Sequence, residues 1–302
     1  MVYRGEPADS RTRSVVVADA EIQNKPKRRG GAKVSDAANL KRAPTHTMLD
    51  KPRISGRRLA EYMAASPIRQ RTIIRDTKFR PVEPEISYDE GYQLIGDMLS
   101  EGPLVTSALR EAAEDFHDRM DVRGIRERIA YDLIGDMFEW LAEERPEFGL
   151  PDVERFDDSR AWGQGGEFRM GGVVVDPEVH FRLRKIKRNA AGVGVVSLRY
   201  SKSGPVNDTV AEWQAALLYG YLLETVDDEG LRPDPDLCIL LDLRSGIAHP
   251  APGRAKTLFK QMEAACASIA ERWPAIKPPD RAVVGDVRDL AGVRVVEQEI
   301  PF

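Results

Sequence analysis

The chain has 302 residues, with 45 Lys and Arg against 49 Asp and Glu, which is long for one ordinary domain of roughly 100–200 residues and only slightly acidic. No stretch approaches the ~18 uninterrupted apolar residues of a membrane span, and the N-terminus lacks the apolar core of a secretory signal. The composition therefore points to a cytoplasmic protein that does not enter a membrane, and the two cysteines, Cys238 and Cys266, without companions at metal-ligand spacing, read as buried free thiols.

Charge is distributed unevenly, with basic residues crowded into the first third. Residues 1–48 mix Pro, Gly, Ser and Asp with Lys25, Lys27, Arg28, Arg29, Lys33, Lys41 and Arg42 and show no apolar period, the pattern of a disordered basic tail. Such a tail either grazes phosphates without sequence preference or only solubilises the chain. Residues 49–150 read as a helical lobe, basic at its start. Ser55 is placed to cap a short helix through Met63, and Ser66 with Pro67 starts another to about Lys78. Arg57, Arg58, Arg69, Arg71, Arg75 and Lys78 dominate this unit. Arg71, Arg75 and Lys78 fall at i, i+4 and i+7, one stripe that matches a phosphate-binding face or a solvated face paired with acidic neighbours. Three further amphipathic helices follow to about residue 148. The third, with Ile125, Ile129, Leu133, Phe138 and Leu141, is expected to lie across a sheet. His117, beside Asp115 and Asp118 with no second ligand at i+4, reads as a surface histidine.

Residues 151–302 read as an α/β core. Gly163, Gly165 and Gly166 lack the Lys-Ser/Thr and the helix start of a phosphate loop. GGVVVDPEVHFRL and GVGVVSLRYSK read as two strands, and TVAEWQAALLYGYLLE as a helix capped by Asp208 or Thr209. The continuous apolar run DLCILLDLRSG suits a strand buried on both faces. Its Asp242 needs a partner such as a core arginine, or a functional reason. AKTLFKQMEAACASIAERW is an amphipathic helix, and the C-terminal segments from Arg281 on read as an edge strand or hairpin.

Chemistry concentrates in the strand–strand–helix unit. A phosphodiesterase site needs carboxylates to hold Mg²⁺ and a lysine beside the attacked phosphate. Asp176 and Glu178, two apart on one expected strand, project to one face as metal ligands; Lys202, after the next strand, reaches the same pocket, and Gln214 with Tyr219 walls it. This order resembles the PD-(D/E)xK nuclease superfamily, in particular its RecB-like branch. The resemblance implies a restriction-endonuclease-like core, with Asp176 at the first metal ligand, Lys202 at the catalytic lysine and Gln214 at the helix glutamine. The position two before Lys202 is Tyr200, and Tyr219 falls five after Gln214 where the family spaces them by four. Aligned on SLR instead, Ser197 and Arg199 take the places of acid and lysine. The family implies a Mg²⁺-dependent nuclease acting on nucleic acid, DNA above all, in a bacterial defence or mobile-element system. The alternative is an inactive nuclease-like fold that binds DNA, a protein partner or a second copy of itself. Glu127 and Glu139, on the preceding helix, are further carboxylates for such a site.

Overall fold

The structure, a computed structural model, describes residues 44–82, 88–119, 125–144, 146–156, 168–187, 190–227 and 230–285. The seven basic positions assigned to the tail, the three glycines of the rejected phosphate loop and the segment after Gly285 lie outside the described residues.

The strand β8 (Ala190–Arg199) sits mid-sheet. Its sequence, rich in valine and free of charge until Arg199, suits a position buried on both faces. It pairs antiparallel with β7 (Phe181–Lys187), Phe181 opposite Val196, and parallel with β10 (Ile239–Asp242), Ile239 opposite Val196 and Asp242 opposite Arg199. A parallel pair requires a crossover, and α6 (Asp208–Thr225) supplies it. With β11 (Ala248–Pro250) and β4 (Glu154–Phe156) the order is β11-β10-β8-β7-β4, and β9 (Leu231–Pro233) pairs with β8 off this path. The fold is therefore α/β with an open, mixed central sheet flanked by helices.

Alternation along the strands divides the core into two apolar clusters. Val195 joins the one built on α6, α7 (Ala255–Arg272), α1 (Gly56–Ala64) and α2 (Pro67–Lys78). Phe181, Leu183, Val196, Leu198, Ile239 and Leu241 join the one built on α3 (Asp89–Glu101), α4 (Thr106–Asp118) and α5 (Ile125–Glu144). The two basic helices thus belong to the core of the sheet. The described residues from Pro44 on fall in one compact unit. Ile134, Met137, Phe138 and Leu141 form the buried stripe of α5, whereas Ile129 is exposed.

Two small sheets complete the architecture. In one, β2 (Arg53–Ser55) pairs parallel with β6 (Val173–Asp176), which pairs antiparallel with β5 (Phe168–Met170). In the other, β1 (His46–Met48) lies between β3 (Phe79–Pro81) and β12 (Val284–Gly285). β1 falls inside the stretch expected to be tail. The single strand expected across GGVVVDPEVHFRL is two, in different sheets: Pro177 removes a ladder donor, and Glu178, at φ 56°, turns the chain before β7. Among the described residues no helix is long and apolar enough to cross a membrane.

The helix α6 is buried continuously from Gln214 to Leu222, as a helix covered by both sheet and helices must be. It packs on α7 at Gly220, where an added Cβ would come within 1.9 Å of the Phe259 ring. Gly220→Ala is expected to destabilise the protein by about 2 kcal/mol through overpacking. Denaturant unfolding checks this, and Phe259→Leu in the same chain should recover part of the loss.

Candidate functional site

The polar end of β8 builds the site. Period-two alternation puts Val193, Val195, Ser197 and Arg199 on one face, and the last two meet α6 and α1 where the apolar row ends. The Gln214 amide, itself buried, donates to Ser197 Oγ at 3.1 Å and accepts from Arg199 Nη1 at 3.4 Å. Arg199 Nη2 donates to Glu61 Oε1 at 2.7 Å, and the Arg199 side chain is only 11% exposed. Its buried Nε has no hydrogen-bond partner. Burial lowers the pKa of this guanidinium from its ordinary value, with the nearby Arg57 charge adding to the effect and Glu61 opposing it.

Arg199 and Gln214 border an open cavity of about 410 Å³, lined also by Arg57, Asp89, Asp176, Glu178, His180 and Arg182. Asp176 ends β6, and its Oδ1 accepts the Glu178 backbone N–H at 3.0 Å across the Pro177 turn. Glu178 Oε2 accepts the backbone N–H of Arg57 at 2.7 Å, placing a carboxylate on the first turn of α1, where the helix dipole favours it. Burial raises the pKa of Glu178, the Arg57 bond opposes the shift, and the charge of Asp176 adds to it. Asp176 and Glu178 both face the cavity, and among the described residues no third His, Cys, Asp or Glu joins them at ligand separation.

His180 is a neutral acceptor. The Leu198 backbone N–H donates to its Nδ1 at 3.0 Å, and Tyr92 meets the ring edge-on at 5.0 Å. Burial pushes its pKa down to about 4. The Tyr92 hydroxyl accepts the Tyr200 backbone N–H at 3.0 Å, and burial pushes its own pKa up to about 12.

Several residues singled out in the sequence lie elsewhere. Lys202 follows the end of β8 in an exposed turn and is bonded to Asp136 on α5, which holds its ammonium above the ordinary range. It does not line the cavity. Tyr219 packs in the α6 core. Asp242 is buried, and its partners are not arginine side chains: its carboxylate accepts the N–H groups of Val206 and Arg244 and the Ser245 hydroxyl, at 3.0, 2.9 and 2.8 Å. The expected basic stripe on α2 ends early. Arg69 and Arg71 are exposed and Arg75 pairs with Asp76, but Lys78 is buried and donates to the carbonyls of Trp273 and Ile276. The reason is that the last turn of α2 docks under the end of α7. Arg57 and Arg58 are half-exposed and gather on Glu61 at 3.5 and 3.7 Å.

The site also holds groups that the sequence reading passed over. Glu61, His180 and Arg182 come from α1, the β6–β7 turn and β7. The alternation of FRLR already put Arg182 and Arg184 opposite Phe181 and Leu183. What it lacked was the knowledge that both faces are covered, which leaves Arg182 only 1% exposed while Arg184 pairs with Glu154 at the sheet edge.

The neutral His180 fixes a pH dependence. An unfolded chain takes up this proton near pH 6.5, and the folded one not until about 4. Stability is therefore lost as pH falls through this window and levels off below it. At ~1.4 kcal/mol per unit, reduced because the ring borders an open cavity, the loss is about 2 kcal/mol. Unfolding free energies measured across the window should fall less steeply by that amount in His180→Asn, which keeps a side-chain acceptor for Leu198.

Comparison with known protein-family models and with curated protein sequences returns no match for this chain.

Proposed function

We propose that the chain is a nucleic-acid-binding protein on a core resembling the PD-(D/E)xK nucleases, whose cavity holds a phosphate backbone without cutting it. The strand–strand–helix core, with β7, β8 and α6 in order and a parallel strand after the helix, supports the resemblance. One observation carries the choice of binding over cleavage. At the end of β8, where such a nuclease has an acid and a lysine beside the helix glutamine, Ser197 and Arg199 meet Gln214. A serine hydroxyl brings no charge to a metal ion. A guanidinium stays protonated at any physiological pH, so it cannot exchange a proton with water as an amine does. Arg199 is, in addition, neutralised by Glu61. Asp176 and Glu178 are already used by backbone N–H groups. The exposed charge of Arg69 and Arg71 holds the backbone, and Arg57 and Arg58, which share Glu61 with Arg199, contribute in part. Arg75, shared with Asp76, adds less, and Lys78, turned inward, adds none.

A Mg²⁺-dependent nuclease is the second reading, because Asp176 and Glu178 still share a cavity with Gln214. The test is titration of labelled single- and double-stranded DNA and RNA over a salt series, with digestion by Mg²⁺ or Mn²⁺ followed on the same samples. Binding without cleavage is expected. Each phosphate contact contributes a salt slope of about 0.7–0.9, so the combined alanine substitution of Arg57, Arg58, Arg69 and Arg71 should flatten the slope. Cleavage that disappears in Asp176→Ala would establish the second reading instead. Absence of binding to every nucleic acid would sink both and turn attention to a protein partner or a second copy.

A further inference from the structure

On α5, Asp132, Asp136 and Glu139 stand at i, i+4 and i+7, one face of the helix. His117 reaches this face from the last turn of α4. The position between the carboxylates is Gly135, and a Cβ there would lie 2.5 Å from the imidazole, so only glycine lets the ring sink onto the helix among them. One nitrogen of His117 and one oxygen each of Asp136 and Glu139 lie within 4.8 Å of one another. His117 Nε2 is 3.5 Å from Glu139 Oε1. That is long for a charged hydrogen bond of ~2.8 Å and close to the ~3.3 Å edge of a tetrahedron around a metal with 2.0 Å bonds. Asp132 Oδ1 lies 3.9 Å from the other ring nitrogen, Nδ1. That is beyond hydrogen-bond reach, so Asp132 acts on the imidazole only as a nearby negative charge.

We propose that His117, Asp136 and Glu139 form a divalent metal site of the Zn²⁺ class, with water in the fourth position and Asp132 as a further negative charge beside the imidazole. The site ties α4 to α5 and is separate from the cavity under β8. An imidazole with two carboxylates suits a borderline cation, whereas Mg²⁺ prefers an octahedron of oxygens and keeps its waters. The ammonium of Lys202 occupies the same carboxylate of Asp136, so the metal and the Lys202 ion pair compete, and loading the site releases this lysine.

The full-length chain, freed of metal and titrated with Zn²⁺ in a calorimeter, should bind one equivalent. His117→Ala and Glu139→Gln should each weaken binding at least tenfold, Asp132→Asn by less, and Lys202→Met should strengthen it. Millimolar Mg²⁺ should not compete. Glu139 is exposed, so Glu139→Gln keeps the test valid if the histidine variant fails to fold. Co²⁺ should give the intense visible bands of a low-coordinate site, altered in Glu139→Gln. The proposal is overturned if no stoichiometric Zn²⁺ binds, or if binding is unchanged in folded His117→Ala or in Glu139→Gln.

Discussion

A strand buried on both faces can carry polar side chains only where a neighbour satisfies each of them, and this constraint on β8 organises the molecule. Val195 and Val196 enter opposite clusters, so helices must cover both sides, and the parallel partner β10 obliges the chain to cross over through α6. Ser197 and Arg199 continue the α6 face inside this covered zone. An unpaired guanidinium there would cost several kcal/mol. Glu61 from α1 and Gln214 from α6 offset that cost, and in doing so they fix the position of α1 against α6. The cavity is the space left where this polar corner interrupts the apolar packing. The charges that line it are balanced by construction: Arg57, Arg182 and Arg199 stand against Asp89, Asp176 and Glu178, and His180 stays neutral.

Local signals in the sequence located most elements because they act through the backbone. Ser55 caps α1 by accepting from Arg58 N, Pro67 opens α2 at its first turn, and the apolar run ending at Asp242 is β10, buried throughout. The cap of α6 is Asn207, ahead of both expected positions, Asp208 and Thr209. The failures have one physical origin: periodicity gives the face of an element and says nothing of what covers that face. Arg71, Arg75 and Lys78 do share a stripe, yet Trp273, 195 residues on, covers its end. The apolar alternation of VVVDPEVHFRL runs through Pro177 without a break in pattern, because two strands in different sheets each keep their own alternation and the turn between them is short.

The candidate site was legible to a lesser degree for the same reason. Asp176, Glu178 and Gln214 do face one cavity, and the alignment on SLR names Ser197 and Arg199, which meet Gln214 there. Glu61, His180 and Arg182 carried no motif, since each enters the site through tertiary packing alone. His117 is the sharpest example. No helical spacing on α4 pairs it with a ligand, and its neighbours Asp132, Asp136 and Glu139 come from α5. The signal available was Gly135, a glycine inside an otherwise regular helix, which usually marks a close approach.

Lys202 and Arg199 separate two tasks that the resemblance would give to one residue. A lysine useful to phosphate chemistry must be close to the carboxylates and free to change its proton. Lys202 fails on the first count, being drawn to Asp136 at the far side of its turn, and that bond makes its proton harder to remove. Arg199 fails on the second, since burial shifts a guanidinium without bringing it near neutrality. A charge that cannot leave its proton, held rigidly between Glu61 and Gln214, can still donate hydrogen bonds to an anion that enters the cavity. Its unpartnered Nε, buried beside the lining of the cavity, is a donor that such a ligand would reach only through local rearrangement. In the proposed reading, holding a phosphate and leaving it intact are therefore consequences of the same substitution.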